Sequence, residues 1–185
     1  IGMLTIAKGT NDADIYFTKD NYYTKGEGLE HSQWRGRGAE RLGLSGQVDP
    51  DAFKTLLNGE VEDQKLGRVM AGKRQHRSGW DLTFSAPKSL SILSEIYGVS
   101  EVRVIHEKAV SIAVEAAERL IDTRLMVAGK SQVQATNNGV FATFTHDVNR
   151  NLDCHIHTHC SLINMNHTAN GWRSIRKDRL MPSHR

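Results

Sequence analysis

Residues 137–165 read NNGVFATFTHDVNRNLDCHIHTHCSLINM. On either side of NRNLD, apolar and β-forming residues alternate with polar ones at period two, so the stretch reads as an antiparallel hairpin. Residues at i, i+2 and i+4 of a strand share a face. His155, His157 and His159 therefore project together, while Cys154, Ile156, Thr158 and Cys160 face the other way. Across the hairpin, His146 can bring a fourth imidazole onto the histidine face. Three or four neutral imidazoles converging on one point can hold a divalent transition metal and leave positions open for a substrate oxygen. A single histidine on a strand is ordinarily a polar residue on a wet face. Four of the nine histidines within fourteen positions, in register, favour a metal instead.

Working outward, residues 101–126 carry apolar side chains at helical spacing after Ser100, a suitable N-cap. They predict a long helix of about seven turns covering one face of a sheet. GWDLTFS at 79–85 reads as a strand stopped by Pro87, with Ser85 to Ser89 forming the turn into a helix. The DPDAFKTLLNGE segment at 49–60 opens on an Asp-Pro helix signal and stops at Asn58-Gly59. MLTIAKG near the N-terminus reads as a strand, and residues 11–23 as a helix start or turn. Residues 24–48 are rich in glycine and charge and predict a loop docked through Trp34, then a short helix near Ala39 to Leu42. The order implies an α+β fold, an antiparallel sheet covered on one face by helices.

A chain of 185 residues suffices for a single domain spanning 1–185. Its 38% hydrophobic and 24% charged residues exclude a disordered or fibrous class. No apolar run approaches membrane-spanning length and no signal-peptide core is present, which leads to the expectation of a soluble cytoplasmic protein without a membrane segment. Cys154 and Cys160 lie on one strand, about 20 Å apart, too far to bond. The net charge of +3 names no partner, but basic residues cluster at Lys65, Arg68, Lys73, Arg74 and Arg77, and again at Arg173, Arg176, Lys177, Arg179 and Arg185. Such clusters suit a phosphate backbone, or are simply solvated. Lys88 at the turn after Pro87 and Arg150 in the hairpin turn are further candidate phosphate contacts. The glycines around Arg37 form a loop suited to backbone contacts. Trp34, Trp80 and Trp172 can stack on bases but are assigned to the core.

Tyr16, Phe17, Tyr22 and Tyr23 form an aromatic group. A tyrosine nucleophile, with a pKa near 10, needs a nearby base or a poised electrophile. A metal that polarises a phosphodiester oxygen supplies the second. Tyrosines, a histidine metal site and basic patches together point to covalent attack on a nucleic-acid phosphate.

YFTKDNYY at 16–23, the run W-x-G-x-G-A-E-x-L-G-L-S-G-x-V from Trp34, DLTFSAPKSLS from Asp81 and H-D-V-N-R-N-L-D-C-H-I-H-T-H from His146 resemble, in order and spacing, the N-terminal relaxase domain of MobF-family conjugative relaxases, members of the HUH endonucleases. The resemblance implies a two-layer sandwich and site- and strand-specific nicking and rejoining of DNA at a plasmid transfer origin through a 5′-phosphotyrosine. It implies metal ligands at His146, His157 and His159, with His155 a neighbour, and an active-site acid at Asp81 that hydrogen-bonds a ligand histidine or helps take the tyrosine proton. Tyr16 matches the first nicking tyrosine and Tyr22 begins the second pair with Tyr23. Because the first pair is Tyr16-Phe17 here, Tyr16 is its only possible nucleophile. The implied cofactor is one divalent ion, Mg, Mn or Zn foremost, with Ni, Co or Cu also compatible. The implied partners are single-stranded and origin DNA, relaxosome accessory proteins and a C-terminal helicase region, in a plasmid-borne bacterial setting. The family's relaxase domain continues beyond position 185, so the chain is expected to be shortened at its C-terminal end. Three other readings remain: a rolling-circle replication initiator of the same superfamily, a non-catalytic origin- or single-strand-binding module, and a metal-dependent hydrolase that uses water and forms no protein–DNA bond.

Overall fold

The structure, a computed structural model, describes residues 3–8, 27–148, 153–176 and 178. The hairpin forms as the alternation requires. Strand β10 (Val140–Val148) pairs antiparallel with β11 (Cys154–Ile163), setting Phe144 opposite His159, Thr145 opposite Thr158 and His146 opposite His157. The register then shifts between His146 and Val148. Residues 149–152, with Arg150, lie outside the described residues, as do residues 9–26 with Tyr16, Tyr22 and Tyr23.

Among the described residues the hairpin sits inside a five-stranded sheet ordered β1 (Met3–Lys8), β7 (Gly79–Ser85), β11, β10, β2 (Ser32–Arg35). Every pairing in it is antiparallel. Strand β2 corrects the expectation of a loop at 24–48. Glycine and charge on both sides hid a short edge strand in which Trp34 and Ser32 are buried while Gln33 is exposed. Helices α1 (Glu27–Glu30) and α2 (Arg37–Arg41) flank it. Helix α3 (Pro50–Leu57) forms as read, with the Asp49 side chain accepting from the Ala52 N–H and Asn58 as C-cap. Pro87 ends β7 and starts α4 (Lys88–Glu95).

The long helix α5 (Glu101–Glu118) is shorter than predicted: residues 122–127 form strand β8 (Asp122–Val127), hairpinned with β9 (Lys130–Ala135). Its apolar spacing continues through Ile121 only because Ile121 is itself fully buried. Asp122, also buried, leaves the helix to pair with Arg176 through two hydrogen bonds of 2.9 and 3.0 Å. Ser100 makes no side-chain cap. Residues 60–75 fold into two small hairpins that were not anticipated, β3 (Glu60–Val61) with β4 (Gln64–Lys65) and β5 (Arg68–Met70) with β6 (Lys73–Gln75). A last hairpin joins β12 (Asn166–Thr168) to β13 (Gly171–Arg173).

Strand alternation sorts the buried residues into two clusters. Trp80, Leu82, Phe141, Cys160 and Leu162 face α5 through Val110 and Val114. On the opposite face Val140, Ala142, Phe144 and Ile163 meet Trp34, α3 through Phe53 and Leu57, and Trp172. The Phe53 ring lies 5.4 Å from Phe144 and 6.2 Å from Trp34. The sheet is thus covered by α5 as expected, and the second face carries a packed layer as well. All three tryptophans are core residues.

The glycines around Arg37 serve this packing rather than an open loop. Gly36 has φ +96°, and a Cβ there would stand 2.5 Å from the Gly139 carbonyl oxygen. The buried Glu118 carboxylate accepts from the backbone N–H groups of Arg37 at 2.7 Å and Gly139 at 2.9 Å, tying the end of α5 to both segments. Gly36→Ala is expected to lose about 2–4 kcal/mol from left-handed strain and overpacking together, read as a lower urea midpoint at unchanged slope.

Candidate metal centre

The histidine pair His146–His157 is a cross-strand pair, and His159 follows two residues along β11. The ring centres of His146, His157 and His159 form a triangle with sides of 5.4, 5.8 and 5.1 Å. His155 stacks on the far side of His157 at 5.0 Å, and strand rise places it about 13 Å from His159 along the backbone. The four histidines that share a face therefore resolve into three that surround one point and one that stands behind.

A metal–nitrogen bond of about 2.1 Å, with about 1.1 Å more to the ring centre, puts imidazole centres roughly 5.2 Å apart in a tetrahedral site. The observed triangle has that size. No three His, Cys, Asp or Glu side chains among the described residues have their donor atoms converged on one point, so holding an ion requires these rings to turn. The donor set fits a divalent ion of the borderline class.

The chemistry of the rings agrees. The Nδ1–H of His157 donates to the His155 carbonyl oxygen at 2.8 Å, which leaves Nε2 as its lone-pair nitrogen. His159 Nδ1 stands 3.4 Å from Asp81 Oδ2 and 3.3 Å from Thr83 Oγ1. A carboxylate beside the distal nitrogen is the usual means of fixing the tautomer and orientation of a ligand histidine. Strand β7 supplies that partner because Asp81, Thr83 and Ser85 alternate onto the histidine face, Thr83 opposite His159 and Ser85 opposite His157. Thr83 was missed from sequence, although its parity with Asp81 marks it. Burial, reinforced by His157, His159 and then His31, pushes His146 down to about 3, and burial pushes His157 down to about 4. Both rings are neutral at pH 7, the form a metal requires.

The basic candidates lie elsewhere. Lys88 is exposed at the start of α4, its Nζ 4.0 Å from Asp153. Arg74 is exposed on β6, and its guanidinium donates to the backbone carbonyls of Lys65 and Leu66. The Arg77 carbonyl accepts from Asn164, with its side chain half-buried. Arg68 and Lys73 are exposed on the β5–β6 ribbon. In the second cluster Arg176 is held by Asp122 and Asp178, so the tertiary fold consumes a charge that looked available. Lys177, Arg179 and Arg185 lie outside the described residues.

The TrwC relaxase family profile matches residues 10–185. Two multifunctional conjugation proteins TraI, from Escherichia coli and from its strain K12, are 40% and 41% identical over 178 and 182 residues, covering 95% and 96% of the chain. The chain spans 10% of the length of each of these relatives. A conjugative relaxase TrwC solved in complex with oriT DNA, metal-bound, gives a TM-score of 0.86 at 34% identity over 96% of this chain and 63% of that one. TrwC complexed with a 27-mer DNA comprising the recognition hairpin and the cleavage site gives a TM-score of 0.82 at 35% identity over 95% of this chain and 61% of that one. The likeness takes in the antiparallel sheet and its covering helices.

Because His146 and His157 bind protons more weakly folded than unfolded, their neutral burial leaves stability intact above pH 6.5 and removes it as pH falls from 6.5 through about 4. In EDTA, His157 alone is expected to cost on the order of 2 kcal/mol by pH 5. Urea midpoints between pH 4 and 8 should fall more steeply for the parent than for His157→Gln, and equal slopes overturn the assignment.

Proposed function

The chain belongs to the TrwC relaxase family, and on that premise we propose that it nicks one strand of DNA at a plasmid transfer origin and rejoins it by tyrosine transesterification. The triangle of imidazoles, 5.1–5.8 Å on a side and backed by Asp81, is the observation that carries this reading. His146, His157 and His159 hold the divalent ion, of which Mg, Mn and Zn are the leading candidates. When bound, it polarises the scissile phosphodiester and stabilises the negative charge that grows in the transition state.

The remaining chemistry belongs to the chain. The Tyr16 hydroxyl loses its proton and its oxygen bonds to phosphorus, the P–O3′ bond breaks, and the released 3′ oxygen takes up a proton. The product is a 5′-phosphotyrosine and a free 3′ hydroxyl, and reversal reseals the strand. The placement of Asp81 beside His159 Nδ1 favours its orienting a ligand over its accepting the tyrosine proton. Tyr22 or Tyr23 serves a second transfer. Arg74, Arg77, Lys88 and Arg150 are assigned to DNA contacts. The exposed β5–β6 ribbon has the shape of a two-stranded element that a major groove admits, and Arg74 braces its base. Residues 1–185 belong to one relaxase domain. No helix among the described residues is long and apolar enough to cross a membrane, and family membership supports assigning the chain a cytoplasmic, plasmid-borne setting. Its partners are origin and single-stranded DNA, relaxosome accessory proteins and a helicase region.

Incubation with Mn²⁺ and single-stranded origin oligonucleotides should give an SDS-resistant adduct that peptide mapping places on Tyr16. Tyr16→Phe should abolish it and His157→Ala should slow it about 10²–10³-fold. Nicking without an adduct identifies water as the nucleophile and sinks the mechanism, whereas binding alone leaves an origin-binding module. Asp81→Asn is expected to weaken metal binding about 10–100-fold, measured by calorimetry, and unaltered affinity overturns its orienting role.

A further inference from the structure

On the face of the sheet opposite the histidine triangle, α5 meets β10 and β11 near the ligands through hydroxyls and charges rather than apolar side chains. His106 Nε2 lies 2.9 Å from Thr158 Oγ1, and Thr158 Oγ1 lies 2.8 Å from Thr145 Oγ1. Thr145 donates to Glu107 Oε1 at 2.6 Å, and Glu107 Oε2 pairs with Arg35 at 2.6 Å. Arg35 also donates to Thr143 Oγ1 at 3.1 Å and to Ser111 Oγ at 2.5 Å.

The direction of this chain follows from its charged end. A carboxylate paired with a guanidinium only accepts, so Thr145 commits its single proton to Glu107 and must accept from Thr158. Thr158 must then accept from the His106 N–H. Thr145 and Thr158 are 2% and 0% exposed, so removal of any member strands a buried polar atom at full desolvation cost.

Position gives the chain a purpose beyond packing. Thr158 lies between His157 and His159, and Thr145 precedes His146. The two threonines are the cross-strand pair next to His146–His157, and just beyond that pair the register shifts. The ligand pair is therefore the last regular rung of the ladder beside an irregularity, where register is least secured by the backbone. A slip of one residue would carry the histidines of one strand to the opposite face.

We propose that His106, Glu107, Thr145 and Thr158 are positioning residues that hold β10 and β11 in register and thereby set metal affinity without touching the ion. The proposal rests on the metal-centre reading above, and its test uses metal binding alone. Co²⁺ is titrated into the full chain with visible absorption as readout. Thr158→Val, which keeps shape and removes the hydroxyl, is expected to weaken Co²⁺ binding about 10–100-fold and to alter its ligand-field bands, while Thr158→Ser keeps the parent affinity and spectrum. Parent-like binding by Thr158→Val, or equal loss in both variants, overturns the proposal. If Thr158→Val does not fold, Thr145→Val against Thr145→Ser carries the same expectation and the same refutation. A parent chain that binds no Co²⁺ overturns the metal centre itself, a result distinct from one in which the parent binds and the valine variant binds equally.

Discussion

The antiparallel ladder between β10 and β11 is the constraint on which the rest of the molecule depends. Its hydrogen bonds run between two backbones, but its consequence is chemical, because side chains alternate strictly across a strand. With His146 opposite His157, one rung carries two of the clustered histidines and the next but one carries the third. The same alternation turns Thr145, Thr158 and Cys160 to the other face, where α5 waits. A hairpin alone would be marginal in water. Flanked by β7 and β2 it becomes the centre of a sheet, and both neighbours contribute: β7 brings Asp81 and Thr83 to the rings, and β2 brings Arg35 to Glu107.

Two kinds of burial hold this arrangement. Away from the site the sheet is clamped between apolar layers, with Phe144, Phe53 and Trp34 on one side and Phe141, Leu162 and Val110 on the other. Apolar contact is non-directional and tolerates small adjustments. Close to the three histidines the contact with α5 becomes polar and directional, through His106 and Glu107. Glu118 does similar work at the far end of α5, where its carboxylate gathers the N–H groups of Arg37 and Gly139, and burial raises its proton affinity. The helix is thus joined to the sheet at both ends by groups that accept only one geometry.

Burying imidazoles side by side costs stability at acid pH and has a return in readiness. A metal competes with protons for each histidine. The His146 and His157 rings, stripped of their protons by desolvation and by their imidazole neighbours, present lone pairs at neutral pH, and the backbone carbonyl of His155 selects the His157 tautomer. The sheet supplies the spacing of the three rings.

The hairpin, the face shared by His155, His157 and His159, the stop at Pro87, the capped helix after Asp49 and the α+β class are all local consequences of period, turn chemistry and capping. They were legible in the sequence for that reason. The resemblance placed Asp81 near a ligand histidine, and parity alone could have added Thr83. What stayed hidden depends on partners distant in the chain. Strand β2 was invisible because its glycine-rich neighbours mask a four-residue edge that exists only by pairing with β10. Helix α5 ends before Asp122, whose carboxylate pairs with the distant Arg176, and that same pairing occupies a charge that looked available. Which of the four histidines lie together was likewise a tertiary decision. Alternation puts all four on one face, but only cross-strand register brings His146 against His157 and His159, and leaves His155 one step too far along the strand.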